Sequence, residues 1–383
     1  MAKVFVTGDA CPIHRLEHKM IHEPPSSILG DFKEILNRGD FLITNLEAPL
    51  SKCVKSIPKT GPALKANPAC LHFFEKTPFD LLTLANNHIM DYGFNGFKDT
   101  IENIEKANLG YVGGGLTSEK AHEPYVIQFD KNFKIAVLNF AENEWSTIPG
   151  IHGTLVNMVD PIRNYYQVLE CKHAYDKVLV ITHGGIENYP LPSPELKKRL
   201  RFYVNAGADA VINHHTHSIS GFEEFKGKPI YYSLGNFLFD YPKKYNKNWF
   251  EGLAVELNFS KEKEEINHTF YTFDQCKDEA VLSLHQEEKK NELQKQIKSL
   301  NNTINDDNQL NIAFDRFCKQ KHQLYNSYLE PFSSKYFNYL RKKRLLPSFL
   351  NSKKKRLLLN ITRCESHREL LHNILINEDR NKK

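Results

Sequence analysis

The sequence predicts an α/β protein followed by a helical extension, on three observations. Short apolar, β-prone runs alternate with stretches of helical spacing through the first 275 residues. Five of those runs end in carboxylate, amide or imidazole side chains. From residue 280 onward the chain turns polar, Gly-free and helix-prone. With 383 residues, 40% of them hydrophobic and 25% charged, there is enough apolar mass for a sizeable core, which excludes wholesale disorder and fibrous repeats.

KVFVT (3–7) is the first strand and ends on Gly8-Asp9. SSILGDFKEILNRG (26–39) has helical spacing and stops at a Gly, and FLITNLE (41–47) is the next strand. FDLLTLANNH (79–88) repeats that pattern and leads into the helix GFNGFKDTIENIEKAN (93–108) and the strand YVGGG (111–115). KIAVLNFAEN (134–143) and KVLVITHGG (177–185) are further apolar runs with polar endings. SPELKKRLRFYVNAG (193–207) is a helix with Pro near its start and Gly after it. DAVINHHTH (209–217) and PIYYSLGNF (229–237) complete the series as strands.

Charge divides the chain. The net charge is +5, with about +10 in residues 281–383 and about −5 in residues 1–280. RKKRLLPSFLNSKKKR (341–356) holds eight basic residues and no acidic one. These shifts place one domain at 1–278 and a mostly helical basic extension at 279–383. No run approaches the roughly 18 apolar residues of a membrane span. The opening MAKVFVTGDACP reaches an Asp within nine residues, too early for a signal peptide's apolar core, so a cytoplasmic location is expected. Seven cysteines without a CxxC pattern fit reduced thiols.

The strand endings carry the chemistry: Asp9; Asn45 and Glu47; Asn87 and His88; His183; His215 and His217. In open α/β sheets the ligand site lies beyond the carboxyl ends of the strands, so these groups can converge. One such ending is an ordinary turn or capping residue. Five drawn from Asp, Glu, Asn and His point to metal binding. In His215-Thr216-His217 an extended backbone turns both imidazoles the same way. They can then serve one ion, or one each of two ions about 3.5–4 Å apart. In ANNHIMDYG (85–93), Asn87 offers a neutral oxygen, His88 a proton, and Asp91 an orienting partner for that imidazole, although Asn and Asp caps on a following helix would also explain the string.

GDACP, TNLEAPLS, ANNHIMDYG, THGGIE, NHHTH and YSLGNFLFD, in this order, resemble the CapA family of capsule and poly-γ-glutamate synthesis proteins, within the calcineurin-like metallophosphoesterase superfamily. The resemblance covers roughly residues 3–240. It implies a four-layer αββα sandwich with a dinuclear metal site. By position, Asp9 matches a ligand of one metal and Glu47 the carboxylate bridging both. Asn87 and His183 match ligands of the second metal, with one of His215 and His217 for each. His88 matches the imidazole that assists the substrate oxygen or leaving group. Asn45, Glu187, Asn236 and Lys59 are candidates for contacting substrate. Two divalent ions held by such mixed ligands suit Mn²⁺, Fe or Zn²⁺ better than Ca²⁺.

Three departures from the family pattern stand out. Cys11 occupies a position where many superfamily members have His, and a thiolate there could ligate a metal. Asn213 replaces a usual Gly, a change that suits Asn in a left-handed conformation. The N-terminal membrane anchor of many relatives is not expected here. Lys65 is a further candidate for anions, whereas Arg199 and Arg201 read as surface charge. The expected function is a metal-dependent hydrolase, a phosphoesterase, in capsule or cell-surface polymer biosynthesis. The alternative is a non-catalytic accessory protein of a polymer synthase or export complex. The expected substrate is a phosphorylated or anionic polymer or saccharide. The basic run 341–356 is the expected contact to a synthase or to the inner face of the membrane, and nucleic acid is disfavoured because that run has a single aromatic, Phe349, among its charges.

Overall fold

Alternate residues of the central strands enter different apolar clusters, and that alternation generates the layers. Val4 and Val6 join Ile135, Val137, Leu179 and Ile181 in one cluster, while Phe5 between them packs with Leu16, Phe32 and Phe74 in another. Ala136, Leu138, Val178 and Val180 point the opposite way, towards Val168, Leu196, Leu200 and Tyr203. Strands buried on both faces need continuous apolar runs, which explains why KVFVT, KIAVLNF and KVLVIT show no polar alternation. The result is two sheets face to face with helices outside each, an αββα sandwich.

The computed structural model describes residues 1–59, 61–144, 146, 155–241, 247–330, 332 and 334–363. It divides into two compact units, Met1–Asn311 and Ile312–Lys383. In the first unit, one sheet has the order β14 (Leu282–Leu284), β13 (Asn267–Gln275), β12 (Glu251–Phe259), β1 (Ala2–Cys11), β2 (Phe41–Leu46), β3 (Leu81–Thr83), β4 (Gly110–Val112), with β11 (Asn236–Phe239) beside the end of β1. The other runs β5 (Tyr125–Asp130), β6 (Phe133–Ala141), β7 (Lys177–His183), β8 (Ala210–His214), β10 (Lys228–Tyr231), β9 (Phe222–Phe225). β1 to β4 are parallel, as are β6, β7, β8 and β10, so their carboxyl ends share one edge of each sheet.

Helix Pro194–Ala206 illustrates how the outer layers form. The Ser193 hydroxyl accepts a hydrogen bond from Leu196 N, Pro194 fills the first turn and Gly207 ends the helix at φ 126°. Leu196, Leu200 and Tyr203 bury on β6–β8, and full burial of each such side chain contributes about 1.5–3 kcal/mol.

Four sequence expectations are corrected. The 26–39 helix is broken into Ser26–Leu29, a tight turn at Gly30–Phe32, and Lys33–Leu36. Gly30 has φ 52°, and a Cβ there would lie 2.7 Å from the Leu282 carbonyl, so the passing β14 forces the break. PIYYSLGNF is two strands in different sheets, β10 and β11, separated at Gly235 (φ 68°). His215-Thr216-His217 is no extension of β8: His215 and His217 have φ 95° and 52°. The boundary expected at 278 lies further along, because helix Glu287–Asn305 inserts Leu293 and Ile297 into the inter-sheet cluster and Ile304 into the outer one.

The second unit holds the helices Lys335–Lys342 and Ser352–Arg363. Ser334 caps the first through Phe337 N, Phe332 stacks on Phe337 at 5.4 Å, and Glu330 accepts from Phe349 N at 3.0 Å. Among the described residues no helix is long and apolar enough to cross a membrane. Cys11, Cys53, Cys70, Cys171, Cys276 and Cys318 are free thiols, and Cys364 lies outside the described residues.

Candidate metal centre

Asp9 reaches the site because β1 changes partner in mid-strand. Residues 2–7 pair with β12, whereas Asp9 to Cys11 pair with β11, with register shifts on both sides of the change. Gly8 permits this crossing: a Cβ there would sit 2.2 Å from the Gly235 carbonyl oxygen. Asn45, opposite Asp9 on β2, donates from Nδ2 to Asp9 Oδ1 at 2.7 Å, and His215 N donates to Oδ2 at 3.2 Å.

Glu47, just past β2, projects into the middle of the cluster. It is fully buried, and neither carboxylate oxygen has a hydrogen-bond donor. Its Oε1 lies 3.6 Å from His183 Nε2 and 3.8 Å from His217 Nε2. Two sets of groups close enough to hold a metal ion result, Glu47–His183–His215 and Asp9–Glu47–His217, with ligand atoms of each set within 4.8 Å of one another. Glu47 belongs to both. Asn87 Oδ1 lies 3.0 Å from His183 Nε2, and His215 Nδ1 lies 3.1 Å from the same nitrogen.

The electrostatics fit cations. Burial pushes the Glu47 carboxyl well above its ordinary range, and the charges of Asp9, Glu187, Asp91 and Glu144 add to that push. Burial raises Asp9 to about 6 despite its bonds from Asn45 and His215 N. In the opposite sense, burial holds His183 well below the usual imidazole range and lowers His214 and His217 to about 3. Neutral imidazoles carry free lone pairs, as metal ligation requires. A carboxylate deprived of water and of hydrogen bonds costs several kcal/mol unless a cation compensates it. The donor set of carboxylates, imidazoles and one amide therefore fits divalent transition-metal ions.

Around these groups lies a supporting layer. His217 Nδ1–H donates to Asn236 Oδ1 at 2.9 Å, which leaves Nε2 facing Glu47, and the Asn236 amide donates to the Trp249 carbonyl at 3.0 Å. The Trp249 ring packs on His217 at 4.8 Å. Asn236 is thus fully buried with both ends of its amide engaged, and Asn45 likewise accepts from Thr83 and Asn86 while holding Asp9. Neither is placed to touch a substrate, contrary to expectation. Glu187 is exposed, and its charge is felt at Glu47.

His88 and Asp91 sit on the turn between β3 and the helix Gly93–Lys106. His88 Nδ1–H donates to Asp91 Oδ2 at 2.6 Å, freeing Nε2, and Leu64 N donates to the same oxygen at 2.7 Å. Lys59 Nζ donates to Asp91 Oδ1 at 2.5 Å with its side chain only 5% exposed, so it neutralises Asp91 instead of standing open to anions. Asp91 is therefore no helix cap. Lys65 is also engaged, donating to the Cys53 carbonyl at 2.6 Å beneath the Tyr92 ring.

Cys11 lies in the helix-side apolar cluster, outside both ligand sets, and burial keeps its thiol protonated far above the usual range. Asn213 is not left-handed: it is a strand residue whose amide donates to the carbonyls of Gly184, His214 and Tyr232, tying β8 to its neighbours. Arg199 and Arg201 are half-buried ion-pair partners of Glu142 (2.5 Å) and Glu223 (2.6 Å), not free surface charge.

Sequence reasoning missed three residues. Asn86 accepts from the backbone N of His88 and Ile89 and donates to the Leu46 carbonyl, so it fastens the His88 turn to β2. His214 Nδ1 lies 3.5 Å from Asp9 Oδ1 yet neither ring nitrogen has a hydrogen-bond partner. Glu144 Oε1 lies 3.8 Å from His215 Nε2. The Asn86-Asn87 doublet, the third His of HHTH and the acidic end of β6 were the available signals.

Comparison with known proteins identifies the family. Residues 3–241 match the family model described as "Bacterial capsule synthesis protein PGA_cap". The chain is 32% identical over 217 residues to the PGA biosynthesis protein CapA of Bacillus subtilis, covering 56% of this chain and 57% of that one. It is 33% identical over 216 residues to the capsule biosynthesis protein CapA of Bacillus anthracis, covering 54% and 52%. A Mycobacterium tuberculosis protein named "Probable polyglutamine synthesis accessory protein" is 27% identical over 170 residues, covering 41% and 44%. The match thus spans about half the length of these curated relatives. The crystal structure of the Thermus thermophilus protein TT1561 superposes at a TM-score of 0.38 with 7% identity, covering 69% of this chain and 97% of that one, too loosely to inform the site. With the match extending from β1 through β11, this chain belongs to the bacterial capsule synthesis protein PGA_cap family.

Proposed function

We propose that this protein is a metal-dependent hydrolase of phosphoester bonds that acts in the synthesis of a capsule or cell-surface polymer. One observation carries the reading: Glu47 is a fully buried carboxylate without a hydrogen-bond donor, shared by two sets of ligand atoms. Asp9, Glu47 and His217 would hold one divalent ion, and Glu47, Asn87, His183 and His215 a second. Such ions stabilise developing negative charge and acidify water, the two obstacles to cleavage of an anionic ester. The chain supplies the rest. Asn45 fixes the Asp9 carboxylate, and Asn236 fixes the His217 tautomer. Asp91 holds His88 with Nε2 free, and Lys59 holds Asp91 in place, so Nε2 can accept a proton from water and deliver it to a leaving oxygen. Glu187 at the exposed edge would meet the substrate first.

The capsule context rests on the names of the Bacillus relatives. The test is the metal content of the purified protein together with turnover of an aryl phosphodiester in added Mn²⁺. The reading expects about two ions per chain and hydrolysis that His215→Ala largely abolishes while the fold persists. Stoichiometric metal without cleavage of phosphoesters would overturn the hydrolase and favour a non-catalytic accessory role, as the mycobacterial relative's name suggests for that protein. Turnover unchanged in His215→Ala would remove the site assignment itself.

A further inference from the structure

We propose that the C-terminal unit docks on the surface of an anionic lipid bilayer. Residues 334–363 contain ten Lys or Arg and no Asp or Glu. A solvated charge run would account for that count alone, but large apolar side chains stand exposed among the charges. Tyr336 is 68% exposed, Tyr339 57%, Leu345 69%, Phe349 51%, and Leu357 and Leu359 58% each. In helix Lys335–Lys342, Tyr336, Tyr339 and Leu340 follow i, i+3, i+4 spacing and share one face, with Lys335, Asn338 and Lys342 elsewhere on the helix. In helix Ser352–Arg363 the block Lys353–Arg356 leads directly into Leu357, Leu358 and Leu359.

Each candidate occupant must satisfy both features. A second copy of this unit would bring ten further positive charges against the first, so self-association is opposed. A nucleic acid or a soluble acidic polymer would neutralise the lysines and arginines yet leave Leu345, Leu357 and Leu359 in water. An anionic bilayer answers both. Lys and Arg lie at the phosphate level, tyrosines sit at the headgroup boundary, and leucines enter the acyl edge. No span is needed, in keeping with the absence of a membrane-crossing helix among the described residues.

The test uses the full chain in co-sedimentation with vesicles of phosphatidylcholine alone or mixed with phosphatidylglycerol. Partitioning should be at least about tenfold stronger on the mixed vesicles and weaken as NaCl is raised. The variant Leu345→Ser/Leu357→Ser/Leu359→Ser, with every charge retained, should lose at least about tenfold of that binding. Circular dichroism of the variant checks that its helices persist. Equal partitioning on uncharged vesicles, or no partitioning on either, overturns the proposal. So does wild-type binding by the folded triple variant, since a charge-only patch that retains soluble polyglutamate or single-stranded DNA would then explain the surface.

Discussion

Replacing Asp9 by Asn should make the metal-free protein relatively more stable as the pH rises. Burial raises the Asp9 carboxyl from 3.8 to about 6. At about 1.4 kcal/mol per pH unit, that displacement corresponds to about 3 kcal/mol. The sign follows from proton binding. Below about pH 3.8 Asp9 is protonated in folded and unfolded chains alike and costs nothing. Between about 3.8 and 6 the folded state holds a proton that the unfolded state releases, and above about 6 the full cost is present. Asn carries no charge, so Asp9→Asn removes the pH-dependent cost. It also turns an NH₂ towards one of two donors, Asn45 Nδ2 or His215 N, at a pH-independent penalty of about 1–3 kcal/mol. The stability difference, variant minus wild type, should therefore rise by about 3 kcal/mol from about pH 4 to about pH 7, roughly 6 °C in Tm at about 2 °C per kcal/mol. Thermal unfolding of EDTA-treated protein across that range measures it. Adding Mn²⁺ should reverse the order, because the wild type gains a ligand interaction that the variant lacks. A difference that does not change with pH would refute the claim that Asp9 is a carboxylate held against its charge.

Three further outcomes are expected. Gly8→Ala should lower Tm by about 6 °C or more, since its Cβ would collide with the Gly235 carbonyl at 2.2 Å and overpacking of that kind costs about 3 kcal/mol; an unchanged Tm would remove the close crossing of β1 and β11 as a constraint. Stabilisation by Mn²⁺ should weaken as the pH falls through about 6, where Asp9 takes up a proton, and the buried Glu47 carboxyl, held well above its ordinary range, adds to that competition, whereas His217, lowered to about 3, stays neutral; a thermal-shift series with and without metal reads this. His88→Asn should cut phosphodiester turnover by about 10²–10⁴ and Lys59→Met by about tenfold, both with metal content unchanged, and loss of metal in either would make that residue structural.

The layers and strand endings were legible because they depend on local pattern. Continuous apolar runs mark strands buried on both faces, and the polar residues after them mark the sheet edge where ligands gather. What was hidden depends on contacts distant in sequence. Asn45 and Asn236 looked able to meet a substrate, but Asp9, Thr83, Asn86, His217 and Trp249 use their amides. Lys59 looked like an anion contact until the fold set Asp91 against it, 32 residues further along. The HHTH segment seemed a simple extension of a strand. Its positive φ values at His215 and His217 are a conformation that non-glycine residues adopt only when the surroundings hold them there, and these two carry the imidazoles beside Glu47. Helix Glu287–Asn305 read as part of a polar extension because its Leu293 and Ile297 are sparse among charges, although those two reach the core.

The central claim is that Glu47 is shared by two cations. Anomalous diffraction from crystals grown with Mn²⁺ tests it most directly. Two peaks about 3.5–4 Å apart, one beside His183 and His215 and one beside Asp9 and His217, with Glu47 bonded to both, is the expected result. Density that leaves the Glu47 carboxylate without a metal in contact would contradict it.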